Sequence, residues 1–464
     1  MQITPTTRRR ATATAGALVL SATLLLTSCA STDAAPADAG EPVGPFGAPS
    51  AQPIEVYAFD GGYGTEYTDA VIKVYNEQLP DSEVDLKSVQ EISTQLQPRF
   101  VGGNPPDLID NSGKPIETTT LADSGQLLDL SELLEAPSWD DPDVTVGETL
   151  TPGVVETGTY DGKLLELRYV NTAKGLWYSQ SLFEEHGWEI PTTWDAFVEL
   201  GEQAKNEGIA LFAYPGQVIS YPADVFITLI GKQAGIDALR SLDNLESGAW
   251  ESDVVVDAFG ALAELHDKDL ILKGSEALTH TEAQTEFVRG EALFYPAGSW
   301  LENEMKGVTP EGFDMAITPI PLLDEATAAL GFEQLQVAPG EAFIIPTEAK
   351  NPKGAMEYLR AMLSKEAASE FSRLTGAPTV VKGSLEGVDV TPALQTVTDA
   401  IEVGGNAELR VSFRGWYEPL RTQWFTTLGD VLAGRVSPEE ASQTMQQAAD
   451  EIAADDSITK YTRD

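Results

Sequence analysis

Cysteine is all but missing: Cys29 is the only one in 464 residues, so no disulfide can form within the chain. Histidine is nearly as scarce. His186, His266 and His280 are the three present, and no two of them share a metal-ligand spacing, so no metal site is expected. Basic residues are also few, 29 Lys and Arg against 73 Asp and Glu, which gives a formal charge of −44. An excess of that size repels a polyphosphate backbone and excludes nucleic acid as a partner; its plain reading is a solvated acidic surface. No Walker loop, G-x-S-x-G elbow, calcium loop or fixed-period repeat is present, and no cofactor is called for.

The N-terminus has the features of an export signal. Arg8, Arg9 and Arg10 form a cationic start, and residues 11–26 are small and apolar. These 16 residues fall short of the roughly 20 that a spanning helix needs. The run Leu26-Thr27-Ser28-Cys29 fits a lipobox, in which small residues admit the signal peptidase and the thiol takes lipid. Residues 1–28 are therefore expected to be removed, leaving Cys29 as the lipidated first residue on the outer face of the cytoplasmic membrane. Loss of the three arginines leaves 26 basic against 73 acidic residues, or −47. Residues 29–52 are dominated by Ala, Pro, Gly and Asp, too poor in large apolar side chains to offset ordering entropy, and read as a flexible tether.

About 410 residues of ordinary globular composition follow, more than one core usually holds, so two domains are expected. Residues 53–59 alternate as a strand and run into the glycine-rich Asp60-Gly61-Gly62-Tyr63-Gly64, after which Tyr67, Val71, Val74 and Tyr75 recur at helical spacing. Residues 83–89 read as a second strand, 92–100 as a helix and 107–110 as a short strand. This alternation predicts an α/β fold with a largely parallel sheet. Further on, Tyr160-Asp161-Gly162-Lys163 is a turn, residues 164–170 and 175–178 are extended, and Thr193 caps a helix carrying Phe197, Leu200 and Ala204 on one face. Residues 211–214 read as another strand.

A helix end at Phe287-Val288-Arg289-Gly290, a strand over 292–295 and a small-residue turn presenting Trp300 form the most informative stretch. It resembles a signature of the family 1 extracellular solute-binding proteins, the group that includes the maltose-binding proteins. Tyr160-Asp161-Gly162-Lys163, Pro191-Thr192-Thr193-Trp194, Phe343-Ile344-Ile345-Pro346 and Ala349-Lys350-Asn351-Pro352 resemble other family pieces in the same order. Gly61-Gly62-Tyr63-Gly64, Gln90-Glu91-Ile92-Ser93-Thr94, Gly102-Gly103-Asn104-Pro105-Pro106-Asp107, Gly298-Ser299-Trp300-Leu301-Glu302 and Trp416-Tyr417 are similar to the actinobacterial subgroup that binds N-acetylglucosamine and N,N′-diacetylchitobiose. The segment Tyr169-Val170-Asn171-Thr172-Ala173-Lys174 departs from that subgroup in having fewer aromatic residues.

The resemblance implies a two-lobed α/β fold of the periplasmic-binding-protein type (type II), with three hinge crossovers near residues 168–172, 316–319 and 345–347. The lobes are then expected at 53–170 with 317–346, and at 171–316 with 347–464. It also implies a monomer that passes sugar to a membrane permease driven by a separate ATPase, and it implies no enzymatic role. A pyranose offers apolar C–H faces ringed by hydroxyls, so its site needs flat aromatic rings and planar polar groups. Trp300, Trp416, Tyr417, Tyr63 and Tyr221 can supply the rings, and Asp60, Glu66, Asn111, Ser112, Glu302 and Arg414 the polar edges. Trp177, Trp188, Trp194 and Trp250 read as packing residues. The exact sugar, a glycoside hydrolase using two of the carboxylates and a surface sugar sensor stay open as alternatives.

Overall fold

The computed structural model describes residues 39–151 and 153–463, so Cys29 and the leader lie outside the described residues. Its centre is a nine-stranded mixed sheet. In spatial order it runs Val84–Val89, Ile54–Phe59, Leu108–Asp110, Leu335–Ile344, Leu167–Ser179, Ala292–Gly298 and Ala210–Phe212, with Met315–Thr318 beside Leu167–Ser179 and Gly405–Asn406 beside Leu335–Ile344. The sheet is less parallel than the sequence suggests. Ile54–Phe59 is parallel to both its neighbours and Ala292–Gly298 is parallel to Ala210–Phe212, but the long middle strands are antiparallel to each other and, apart from the short parallel pairing of Leu335–Ile344 with Gly405–Asn406, to what flanks them.

Those middle strands join two lobes. Leu167–Ser179 and Leu335–Ile344 pair from Phe343 opposite Leu167 to Gln336 opposite Lys174. At one end Phe343 and Ile344 also pair with Asp110 and Ile109; at the other, residues 174–177 pair with the strand that ends at Gly298. The sheet thus continues from one lobe into the other through these two strands, and two separate cores form on either side. The first gathers Val56, Tyr67, Val71, Tyr75, Tyr169, Phe343 and Phe371. The second, around helices Ser220–Ala234, Asp253–Asp267 and Glu418–Leu432, packs Phe226, Trp250, Phe259, Phe413 and Trp424. A further apolar cluster holding Trp177, Phe287, Tyr295 and Val397 adjoins the second. Trp177, Trp194 and Trp250 are buried, and Trp188 stacks on His186 at 4.2 Å between ring centroids.

Two of the expected crossovers need correction. Met315–Thr318 does not cross between lobes: it pairs throughout with Leu176–Ser179, and the chain after it is held by Thr192 and Lys232. The second crossing is in Leu335–Ile344. The third is later than residue 347, because Ala355, Leu359, Phe371 and Val381 belong to the first core and Ala393 and Val397 to the second side, which puts it between 381 and 393. A proline or glycine near a strand end marks a turn equally well whether or not the chain changes lobes, so the sequence signal could not separate these cases.

The tether is also shorter than expected. Pro42–Val43 and Ala48–Pro49 form a small hairpin turned at Gly44 and Gly47, whose φ values of 70° and 64° suit glycine. Phe46 and Ala48 are buried in the first core, and Phe46 N–H donates to Glu357 at 3.5 Å. One aromatic residue suffices to dock a segment whose average composition reads as disordered.

Local signals elsewhere act as read. Asp161 and Gly162 both have positive φ, 48° and 75°, the geometry of a tight two-residue hairpin turn between Tyr160 and Lys163. Thr193 accepts from Ala196 N–H at 3.3 Å and caps helix Trp194–Asn206.

Where the two middle strands pass between lobes, buried polar groups cluster. Asp110 accepts from the Ser112 hydroxyl and lies beside Glu341, whose φ of 49° is left-handed. Arg168 donates to Glu166 at 2.5 Å, and Glu166 also accepts from Thr118 and Tyr160. Burial pushes the Asp110 carboxyl up to about 6 and raises that of Glu341 well above its usual range.

Candidate functional site

A cavity in the second lobe is built from the ends of three elements. Strand Leu167–Ser179 has a period of two, so Thr172 and Lys174 face the same way. Helix Ser220–Ala234 places Tyr221 and Asp224 three residues apart on one face. Strand Ala292–Gly298 ends in a turn that carries Trp300. Gly298 is needed there, because a Cβ at that position would lie 2.0 Å from Cζ3 of the indole. The ring therefore lies against bare backbone.

These elements enclose a cavity of about 120 Å³ whose walls include Lys174, Tyr221, Asp224, Trp300, Ile320 and Arg414. Trp300 donates its indole N–H to the Tyr221 hydroxyl at 3.1 Å. Asp224 is held from both sides, by Lys174 at 2.9 Å and Arg414 at 3.1 Å. Burial lowers the pKa of Lys174, and the Asp224 charge opposes that shift. Such a site presents aromatic surface and fixed hydrogen-bond donors side by side. Among the described residues no group of three or more His, Cys, Asp or Glu could hold a metal ion.

The eleven residues singled out from sequence divide three ways. Trp300, Tyr221 and Arg414 line the cavity. Tyr63 does not line it but reaches its neighbours from the other lobe, its buried hydroxyl within 3.3 Å of Thr172 and 3.2 Å of Ser299. The remainder are placed elsewhere. Asp60 and Glu66 are exposed near the end of strand Ile54–Phe59. Asn111 spends its side chain on Ile116 and Thr118, and Ser112 bridges Asp110 to the Ala342 N–H.

Glu302 points to a separate cavity with Arg373 and Thr391, accepting from Thr391 at 3.0 Å. Trp416 stacks on Tyr461 with 5.5 Å between centroids. Tyr417 is buried, and its hydroxyl accepts from the Tyr461 N–H at 2.9 Å. Lys174 and Asp224 are the additions. No motif flags Asp224, although its place one helical turn after Tyr221 is a signal that could have been used.

Comparison with known proteins gives the family and the fold. Residues 61–369 match the model of the family described as bacterial extracellular solute-binding protein. The chain is 38% identical over 419 residues to the diacetylchitobiose binding protein NgcE of Streptomyces coelicolor, covering 90% of this chain and 88% of the relative. Among solved structures, a chitin oligosaccharide binding protein superposes with a TM-score of 0.70 at 18% identity, over 88% of this chain and 100% of that one. The binding protein RafE in complex with raffinose gives 0.67 at 19% identity, over 86% and 99%. These likenesses show the periplasmic-binding-protein fold, and the family is one of binding proteins, not of enzymes. The chain therefore belongs to the bacterial extracellular solute-binding protein family.

Proposed function

We propose that the chain captures N-acetylglucosamine or a short chito-oligosaccharide outside the cell and delivers it to the permease of an ABC importer. The observation that carries this reading is the pairing of Trp300 with Tyr221 beside the Lys174, Asp224 and Arg414 group in one cavity of the second lobe. An aromatic face meets the apolar side of a pyranose, and the charged group meets its polar edge. The likeness to a diacetylchitobiose binding protein supports the amino sugar as ligand.

In this reading Trp300, Tyr221 and Arg414 contact the sugar, joined by Lys174 and Asp224, and Tyr63 closes on it from the first lobe. The lobes comprise residues 39–170 with 340–381, and 172–338 with 392–463. Cys29 carries the lipid that holds the protein at the outer face of the membrane. No helix among the described residues is long and apolar enough to cross it.

Calorimetry of the purified protein with N-acetylglucosamine, N,N′-diacetylchitobiose, cellobiose and maltose tests the proposal. Binding of an acetylated sugar at roughly micromolar affinity, about −8 kcal/mol, is expected. Failure of all four sugars to bind would overturn it.

A further inference from the structure

We propose that the floor of the cavity selects its sugar by an acetamido carbonyl, received by Lys174 and Arg414, and turns away sugars that carry a free ammonium group. This rests on the sugar-binding reading above and adds what the site discriminates.

The argument is one of charge and of donor count. The charged residues lining the cavity are Lys174, Asp224 and Arg414, which sum to one net positive charge in a chain whose total is −44. The only strong acceptor among them is already engaged, since each oxygen of Asp224 meets a different cation, at 2.9 Å and 3.1 Å. An ammonium group has three N–H donors and a guanidinium five. One contact from each goes to Asp224, and among the described residues the others have no partner. Tyr221 adds to the imbalance: its oxygen accepts from Trp300, which leaves its own proton to donate. The remaining wall is mostly apolar, formed by Val225, Pro296 and Ile320, with Ser220 as its one further polar side chain.

A site with donors to spare favours a group that only accepts. A hydroxyl both gives and takes, so it uses such a site partly. A carbonyl uses it fully. A protonated amine would place a third cation beside two that are half withdrawn from water, with the one carboxylate in reach already shared. Lys174 and Asp224 are both largely buried, with side-chain exposures of 18% and 17%, so screening by solvent is reduced and the discrimination is strengthened.

The test is a calorimetric panel near pH 6 on the unmodified protein, using N,N′-diacetylchitobiose, its fully deacetylated dimer, cellobiose and a glucuronate-containing disaccharide. The acetylated dimer is expected to bind at least about tenfold more tightly than cellobiose, and the deacetylated dimer at least about tenfold more weakly than cellobiose. Lys174→Met should shrink the ratio between acetylated dimer and cellobiose by about tenfold. Equal affinities for acetylated dimer and cellobiose, or for acetylated and deacetylated dimers, overturn the proposal while leaving sugar binding in place. Tightest binding of the glucuronate sugar overturns the acetamido assignment in favour of a carboxylate. Loss of all binding across the panel removes the sugar reading itself, and this inference with it.

Discussion

The indole N–H of Trp300 donates to the hydroxyl of Tyr221 at 3.1 Å, with the two rings edge to face at 5.8 Å and 81°. One side chain thus fixes the angle at which the other presents its face. Because Trp300 is only partly buried, removing it should cost binding more than folding. Trp300→Ala is expected to weaken sugar binding by at least about tenfold, in line with the ~1 to 3 kcal/mol from lost area and ring geometry. Tyr221→Phe keeps the ring and frees the indole, so a smaller loss of a few-fold is expected. Gly298→Ala should mimic Trp300→Ala by pushing the ring off the backbone. Calorimetry beside a melting curve decides, and an unchanged affinity for Trp300→Ala removes that residue from the site.

The acid pair at the inter-lobe strands makes stability depend on pH. Asp110 is buried, and its carboxyl is pushed up to about 6 from a free value near 4. Between those limits the folded protein keeps a proton that the unfolded chain has lost. The stabilising contribution is therefore complete below about pH 4 and disappears as pH rises through 6. Glu341, raised by burial and by the Asp110 charge, acts in the same direction, whereas Arg168 opposes it. Ser112 and the backbone at Phe59 favour the ionised form of Asp110. Asp110→Asn removes the titrating group, so its stability relative to wild type should improve by about 2 kcal/mol between pH 4 and 7.5. Denaturant unfolding of both proteins at the two pH values measures this. A difference that stays constant across pH would refute the account.

Both the strengths and the misses of the sequence reading have physical causes. Turns and caps were legible because they depend on a few adjacent residues, as at Asp161, Gly162 and Thr193. Trp300 was singled out because its stretch resembles a family signature, and it lines the cavity, whereas Trp416, chosen on the same ground, stacks on Tyr461. Asp224 was not legible, since its importance comes from Lys174, 50 residues away, and Arg414, 190 away. Tyr417 misled for the converse reason: an aromatic pair beside a cavity looks the same in sequence whichever ring turns inward, and here Tyr417 is buried against Tyr461. The crossings were displaced because lobe membership is set by which core a helix packs on.

Arg463, at the end of the described chain, closes a buried ion pair with Asp243 at 2.9 Å, with side-chain exposures of 5% and 0%. Asp243 also accepts from the N–H groups of Ser412 and Phe413 at 2.5 and 2.8 Å, so it fixes the turn that leads to Arg414. Truncating one partner leaves the other charged and buried, which typically costs about 3 to 5 kcal/mol. Arg463→Ala should therefore lower the unfolding free energy by about that amount and weaken sugar binding through the displaced Arg414. Denaturant titration and calorimetry report the two effects separately. Wild-type stability in Arg463→Ala would show that the pair carries no net stabilisation.

Contacts that link the two lobes set the balance between closed and open forms. Asn303 lies in helix Leu301–Met305, whose Leu301 and Met305 pack on the second side, and its amide donates to the carbonyl of Gly62 in the first lobe at 2.8 Å. Arg421 reaches Glu117 across the same gap at 3.2 Å. A bond made only in the closed form raises affinity by shifting the population, even where it does not touch the sugar. The Asn303 bond is worth about 1 kcal/mol net, so Asn303→Ala should weaken binding about fivefold. It should also enlarge the radius of gyration of the sugar-free protein in X-ray scattering, since the open form gains weight. The Arg421 and Glu117 pair is more exposed, so Glu117→Ala should cost under about 1 kcal/mol and lose its effect at high salt. If Asn303→Ala matches wild type in both affinity and scattering, the bond to Gly62 has no part in closure.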